Sequence, residues 1–191
     1  RDGAPVTVGA RRGVMLAAGG FDHNVEWRRT HHGIDGAPSG NPGNLGRPIA
    51  LAEGVGAALE LMDDAWWGAS TAAPEGHDPG FLVGERSLPY GIIVDARGDR
   101  FANESESYVD LGHHMLERDK DGAFWMVTDV RHARRYLRSY AMDPKVTKAM
   151  AAGGLMVKAP SLAALASAIG VARMPTQGSW RPLVTTSTAS P

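Results

Sequence analysis

The sequence predicts a mixed α/β fold, and three observations carry that reading. The apolar run from Arg12 to Phe21 ends in Gly19-Gly20, the pattern of a short buried strand entering a tight turn. Ile92-Ile93-Val94, then Asp95-Ala96-Arg97-Gly98-Asp99, then Arg100-Phe101 reads as a β-hairpin. Ser161 to Ile169 is an apolar helical stretch with a Ser cap before it and Gly170 after it.

The remaining elements follow in order. Asp22 to Asn44 is polar, rich in Gly, Pro and His, and without period, so it reads as a long loop. Pro48 to Met62 reads as a helix: Pro48 suits the first turn, and Ile49, Ala52, Val55, Leu59 and Met62 recur at spacings of three and four. Gly54 and Gly56 weaken it by roughly 1 kcal/mol each relative to Ala. Val109 to Glu117 predicts a short helix, Ala123 to Val127 a strand, and Arg131 to Tyr140 a basic helix stopped before Pro144. From Ala172 the chain shows neither helical nor strand period and reads as a disordered end. Back-translation in another frame with G/C-rich codons gives a capped amphipathic helix there, so a frame error is a second expectation.

Composition limits the function classes. With 191 residues and 43% hydrophobic content, the chain can bury a core. A formal net charge of −1 argues against sequence-independent nucleic-acid binding. No run approaches the roughly 18 apolar residues of a membrane span. The absence of cysteine excludes disulfides and thiolate chemistry and permits a reducing compartment. The start at Arg1-Asp2-Gly3 reads as an interior piece of a longer protein.

Three constellations could carry chemistry. Ala17-Ala18-Gly19-Gly20-Phe21 offers backbone N–H groups without Cβ hindrance, although Gly-Gly after a strand is more often an ordinary turn. Gly43-Asn44-Leu45-Gly46-Arg47-Pro48 opens a helix whose N-terminal donors suit an anionic or carbonyl-rich edge; simple capping is the alternative. Arg100 to Asp110 leaves the hairpin with polar groups and Tyr108, a mount for catalytic side chains or a plain polar exit. The histidines show no i, i+4 pair with an intervening Glu, so no metal site is expected, and no Gly-x-Ser-x-Gly elbow supports a hydrolase triad. Arg131, Arg134, Arg135 and Arg138 read as a solvated face.

Taken in order, these strings resemble a known family. Ala-Ala-Gly-Gly-Phe, Gly-Asn-x-Gly opening a helix, Leu61-Met62-Asp63-Asp64-Ala65-Trp66-Trp67, Glu85-Arg86-Ser87-Leu88-Pro89 and Gly98-Asp99-Arg100-Phe101-Ala102-Asn103-Glu104 resemble the fumarate-reductase/3-ketosteroid-dehydrogenase flavoproteins, and most of all the 3-ketosteroid Δ1-dehydrogenases. The match runs from about Arg12 to Val171. It implies a partial Rossmann-like FAD domain over 1–70 and an α+β catalytic, steroid-binding domain over 71–171, with 172–191 as an aberrant or disordered tail.

The resemblance also implies site residues. Ala18, Gly19, Gly20, Asn44, Leu45 and Gly46 would lie at the FAD. Tyr108, four residues after Glu104, stands where the fumarate-reducing branch holds a proton-donating Arg, and a second Arg of that branch would fall near Leu88. Tyr108 would take the proton from C2 of a 3-ketosteroid while hydride leaves C1 for FAD. A free phenol ionises only near pH 10, so a neighbouring donor must help; the family supplies a second Tyr from its N-terminal portion. Arg47 departs from the Asp the family commonly carries. The implied partners are a steroid-like small molecule and an unspecified electron acceptor, with neither nucleic acid nor an integral membrane segment. The implied location is cytoplasmic, with peripheral membrane association left open. The alternatives are a steroid dehydrogenase acting at C4–C5, or an inactive flavoprotein-derived binding module.

Overall fold

The computed structural model describes residues 3, 5–35, 38, 40–120, 122–136 and 144–172, and the backbone of 182–189. Its helices are α1 (Val25–Trp27), α2 (Arg47–Gly54), α3 (Tyr108–Asp119), α4 (Val130–Tyr136), α5 (Pro144–Ala152) and α6 (Leu162–Ile169). Its strands are β1 (Ser70–Thr71), β2 (Gly91–Val94), β3 (Phe124–Asp129), β4 (Met156–Val157) and β5 (Pro182–Ala189). The strands form one sheet in the order β1-β5-β3-β2, with β4 also paired to β5, and every pairing is antiparallel.

The alternation of side chains along β2 and β3 builds a core on each face of this sheet. Ile93 of β2 and Phe124 and Met126 of β3 pack with Leu111 and Met115 of α3 on one side. Ile92, Val94 and Val127 pack with Leu165 and Ala166 of α6 on the other. The register places Ile93 opposite Met126 and Ile92 opposite Val127, so each cross-strand pair faces a single core. The uninterrupted apolar run Ile92-Ile93-Val94 reflects this burial on both faces.

The helices α3 and α6 form where the capping residues place them. Ser107 Oγ accepts from Val109 N at 3.3 Å and starts α3. Ser161 Oγ accepts from Ala164 N at 3.2 Å and starts α6, and Gly170 ends it in the left-handed region at φ 74°. The predicted strand at 124 is present, and α4 covers the start of the predicted basic helix; residues 137–140 of that prediction lie outside the described residues. Arg134 and Arg135 are exposed, whereas Arg131 is not a purely solvated group: it pairs with the buried Asp129 at 2.6 Å and lies over the Tyr90 ring at 4.5 Å.

Four expectations are corrected. Residues 12–21 form no strand: among the described residues no strand pairs with them, and Val14, Met15 and Leu16 are exposed. An apolar run becomes a strand only when a neighbour takes its N–H and C=O groups. The helix predicted to reach Met62 stops at Gly54, where the nearby glycines remove helical preference and Val55, at 81% exposed, finds no apolar face. The loop at 22–44 holds α1 and a wider π-type turn over Arg28–His32, started by the Asn24 side chain, which accepts from Trp27 N, and ended by Gly33 at φ 68°. The tail is not structureless throughout, because 182–189 is a strand between β3 and β1/β4.

The hairpin is present in reduced form. Asp95 Oδ1 accepts from Arg97 N and Asp99 N, each at 2.9 Å, and closes the turn. Beyond it only the bridge Val94↔Arg100 continues the return limb, and β2 takes β3 as its full partner.

Candidate functional site

A cleft of about 1050 Å³ lies between the glycine turn at 19–20, the segment 60–81 and the start of α3. Two turns that are distant in sequence are stitched together at one end of it. Gly46 N donates to Gly20 O at 3.0 Å, His23 N donates to Asn44 O at 3.0 Å, and Asn24 Nδ2 donates to Leu45 O at 3.1 Å. Glycine is required at this junction. A Cβ at Gly46 (φ 76°) would stand 2.7 Å from the Trp27 ring, and one at Gly19 (φ 84°) would stand 2.2 Å from Asn44 Oδ1.

Gly20, Asn44 and Tyr108, three of the residues singled out from sequence, line this cleft together. Gly19, Leu45 and Gly46 lie behind it in the junction, and Ala18 is exposed beside it. No atom lies within 4 Å of the position a Cβ would take at Gly20, so that backbone meets open space.

The apolar wall comes from 66–81. Ala69 and Ser70–Thr71 run antiparallel to Gly80–Leu82 through Leu82 N to Ala69 O (2.9 Å) and Thr71 N to Gly80 O (2.8 Å), which mounts Phe81 beside the cleft. The Phe81 ring meets the Tyr108 ring edge-on at 5.8 Å. Trp67 is buried, and Trp66 stands exposed at the rim. His32 stacks on Phe21 at 4.9 Å and meets Trp67 edge-on at 4.8 Å, so aromatic rings run from the glycine turn to the wall.

Charged groups line the glycine end. Asp22 Oδ2 is buried with no hydrogen-bond partner among the described residues. Burial lowers the pKa of Arg28, against the fields of Asp22 and Asp35. Burial also lowers the pKa of His32, helped by Arg28 and His31 and opposed by the backbone at Met62 and Asp64, so its neutral form is favoured. The hydrogen bond from His113 holds the Asp64 carboxyl below its ordinary value. Glu106 accepts from His114 at 2.9 Å and raises that imidazole.

Below Tyr108 the hairpin exit is rigid. Arg86, 4% exposed, donates to the carbonyls of Glu104 and of Glu106, the latter at 2.7 Å. Burial lowers its pKa against Glu106 and Glu104. In the sequence, Arg86 stands out only as part of the string Glu85-Arg86-Ser87-Leu88-Pro89. Its role is to tie the turn that precedes α3.

An antiparallel sheet covered by helices on both faces, joined to a cleft with a glycine turn at one end, defines an α+β protein with room for a ligand. The FAD binding domain model matches residues 1–169, and the chain belongs to that family. It is 37% identical over 180 residues to the 3-oxosteroid 1-dehydrogenase of Mycobacterium tuberculosis (strain H37Rv), covering 87% of this chain and 31% of that protein. It is 35% identical over 183 residues to the 3-oxosteroid 1-dehydrogenase of Mycolicibacterium smegmatis, covering 89% and 32%. It is 32% identical over 185 residues to the 4-oxocyclohex-2-ene-1-carboxylate 5-dehydrogenase of Sinomonas cyclohexanicum, covering 87% and 30%. Among solved structures, the 3-ketosteroid Δ1-dehydrogenase of Sterolibacterium denitrificans in complex with 1,4-androstadiene-3,17-dione aligns with TM-score 0.73 at 25% identity, over 100% of this chain and 43% of that one. A flavocytochrome c3 fumarate reductase aligns with TM-score 0.56 at 19% identity, over 93% and 34%, which bears on the fold. The chain thus spans about a third of the length of these curated relatives.

The residues present fit FAD at one end of the cleft. The open backbone at Gly20, the Asn44 side chain and the orphaned Asp22 oxygen offer the donors and acceptors that a flavin's polar edge needs. Among the described residues no helix is long and apolar enough to cross a membrane.

Proposed function

We propose that this chain is the portion of an FAD-dependent oxidoreductase that forms the substrate cleft for dehydrogenation of a 3-ketosteroid between C1 and C2. The observation that carries this reading is the placement of Tyr108 on one cleft with Gly20 and Asn44. Gly20 and Asn44 would hold the flavin end of FAD, with Gly19, Leu45, Gly46 and Ala18 shaping the turns behind it. When bound, FAD supplies the hydride acceptor.

Tyr108 is the base. The C3 ketone acidifies the C2–H bond, and Tyr108, ionised to its phenolate with the help of a neighbouring donor, takes that proton as hydride leaves C1. The Tyr108 ring stands edge-on to Phe81 at 5.8 Å on the cleft wall, where its phenol can meet substrate. Trp66, Trp67 and Phe81 form an apolar wall that suits a fused hydrocarbon ring system and keeps water from the reacting carbons. The named relatives share one chemical theme, a ring ketone, and the size and apolarity of this cleft favour the steroid over a small carboxylate.

The test uses the full-length gene product. A 3-ketosteroid bleaches its flavin absorbance, and Tyr108→Phe keeps the flavin while kcat falls about 100- to 10,000-fold, the range of a lost general base. Near-normal kcat in that variant removes Tyr108 from the mechanism. A colourless full-length protein removes the flavoenzyme reading and leaves a binding module.

A further inference from the structure

We infer that His113 and Asp64 form a clasp that positions the Trp66–Trp67 wall against the helix bearing Tyr108, so that His113 is a positioning residue for substrate binding. The inference rests on the proposed reading of that cleft.

One carboxylate oxygen gathers the contacts. Asp64 Oδ1 accepts from His113 Nε2 at 2.7 Å, from Ala65 N at 2.7 Å and from the Trp67 indole Nε1 at 3.0 Å. Because a carboxylate only accepts, His113 donates through Nε2. A residue 49 positions away on α3 therefore shares an acceptor with the indole that walls the cleft. The neighbouring residue of α3 allows this approach. A Cβ at Gly112 would stand 2.3 Å from Trp67 Cβ, 2.9 Å from its carbonyl carbon and 3.1 Å from Gly68 N. Tyr108 and Gly112 lie one turn apart on the same face of α3. The backbone of Trp67 is thus pressed onto the face that carries the proposed base, and the clasp beside it sets the indole's rotation.

The burial pattern separates positioning from stabilisation. Trp67 is 7% exposed, whereas the side chains of His113 and Asp64 are 39% and 48% exposed. An ion pair so open to solvent adds little to folding stability. It does restrict the Trp67 ring, whose edge meets His32 and, through it, Phe21 at the glycine turn. Loss of the His113 donor leaves the fold in place and lets the wall turn relative to Tyr108.

The experiment uses the full-length, FAD-loaded protein. His113→Phe removes the donor, with His113→Ala as a second removal should the larger ring disturb α3, and His113→Gln keeps an N–H at similar reach. With the donor removed, KM for a 3-ketosteroid rises about tenfold, the scale of one lost hydrogen bond to a charged group, while kcat stays within about threefold. Flavin content is unchanged, and His113→Gln returns KM to within about twofold. Independently of turnover, hydrogen exchange at the Trp67 indole N–H, followed by NMR, quickens about tenfold in the Phe or Ala variant and not in His113→Gln. Unchanged indole exchange in a folded donor-less variant overturns the inference, as does a Gln variant as impaired as the Phe variant. Accelerated exchange with unchanged KM overturns the link to substrate binding. If the wild-type protein turns over no 3-ketosteroid, the proposed function fails, and indole exchange alone decides whether the clasp exists.

Discussion

The Glu104 carboxylate is the fixed point of the hairpin exit. It is buried, accepts from Ile93 N at 2.9 Å, and takes the Arg100 fork through Nε at 3.0 Å and Nη2 at 2.6 Å. Its backbone carbonyl meanwhile accepts from Arg86. Glu104→Ala leaves the Ile93 N–H buried and unpaired and frees Arg100. The expected loss is about 2–4 kcal/mol in urea denaturation, set by the desolvation of unpaired groups rather than by net charge. A loss under about 0.5 kcal/mol would mean that water or a rearranged side chain satisfies Ile93. At this scale the sequence is legible where chemistry is local or where a family string names it. Tyr108 stood out because it follows Glu104 by four residues. Asp64 and His113 did not, because nothing in a one-dimensional pattern brings together positions separated by 49 residues.

At the scale of the element, α3 is the piece that ties core to cleft. Leu111 and Met115 enter the core, Tyr108 opens onto the cleft, and Gly112 between them lets the Trp67 backbone close in. Gly112→Ala sets two effects against each other. Ala improves helix propensity by up to about 1 kcal/mol, while its methyl would meet backbone that cannot step aside, an overpacking cost of about 1–3 kcal/mol. The close approach to Trp67 C and Gly68 N decides the sign. The variant is expected to be destabilised by about 1–2 kcal/mol in urea denaturation, with the Trp67 wall displaced from α3; a stabilised variant would show that the junction relaxes freely. The helix α6 was legible because Ser161 and Gly170 at its ends act locally. The strand expected at 12–21 was not, since strand formation depends on a neighbour that the run itself does not specify. The helix expected to reach Met62 failed for a related reason: its apolar spacing continued past Gly54, but no core face received Val55 or Leu59.

For the molecule as a whole, β5 is the strand on which the sheet depends. It pairs with β3 from Phe124↔Thr188 to Thr128↔Val184, with β4 at Met156↔Thr186 and Val157↔Thr185, and with β1 at Ser70↔Ala189. The Val, Thr and Ser residues of 182–189 show no apolar/polar alternation, and without that period the sequence carries no strand signal there. Removing residues 173–191 would leave the inner edge of β3 unpaired and detach β1 and β4 from the sheet, since among the described residues each joins it only through β5. The 191-residue chain is therefore expected to unfold in a single cooperative step by circular dichroism, and the chain ending at Ala172 to melt at least about 10 °C lower or without a cooperative transition, as loss of a central ladder costs several kcal/mol. The proposal that 172–191 arises from a frame error makes the opposite prediction. On that proposal the tail is dispensable, both chains melt alike, and the chain rebuilt in the alternative frame is the more stable. Equal melting temperatures for the full and shortened chains would therefore remove β5 from the stability of the sheet, and sequencing the DNA across Val171 would then identify the natural continuation.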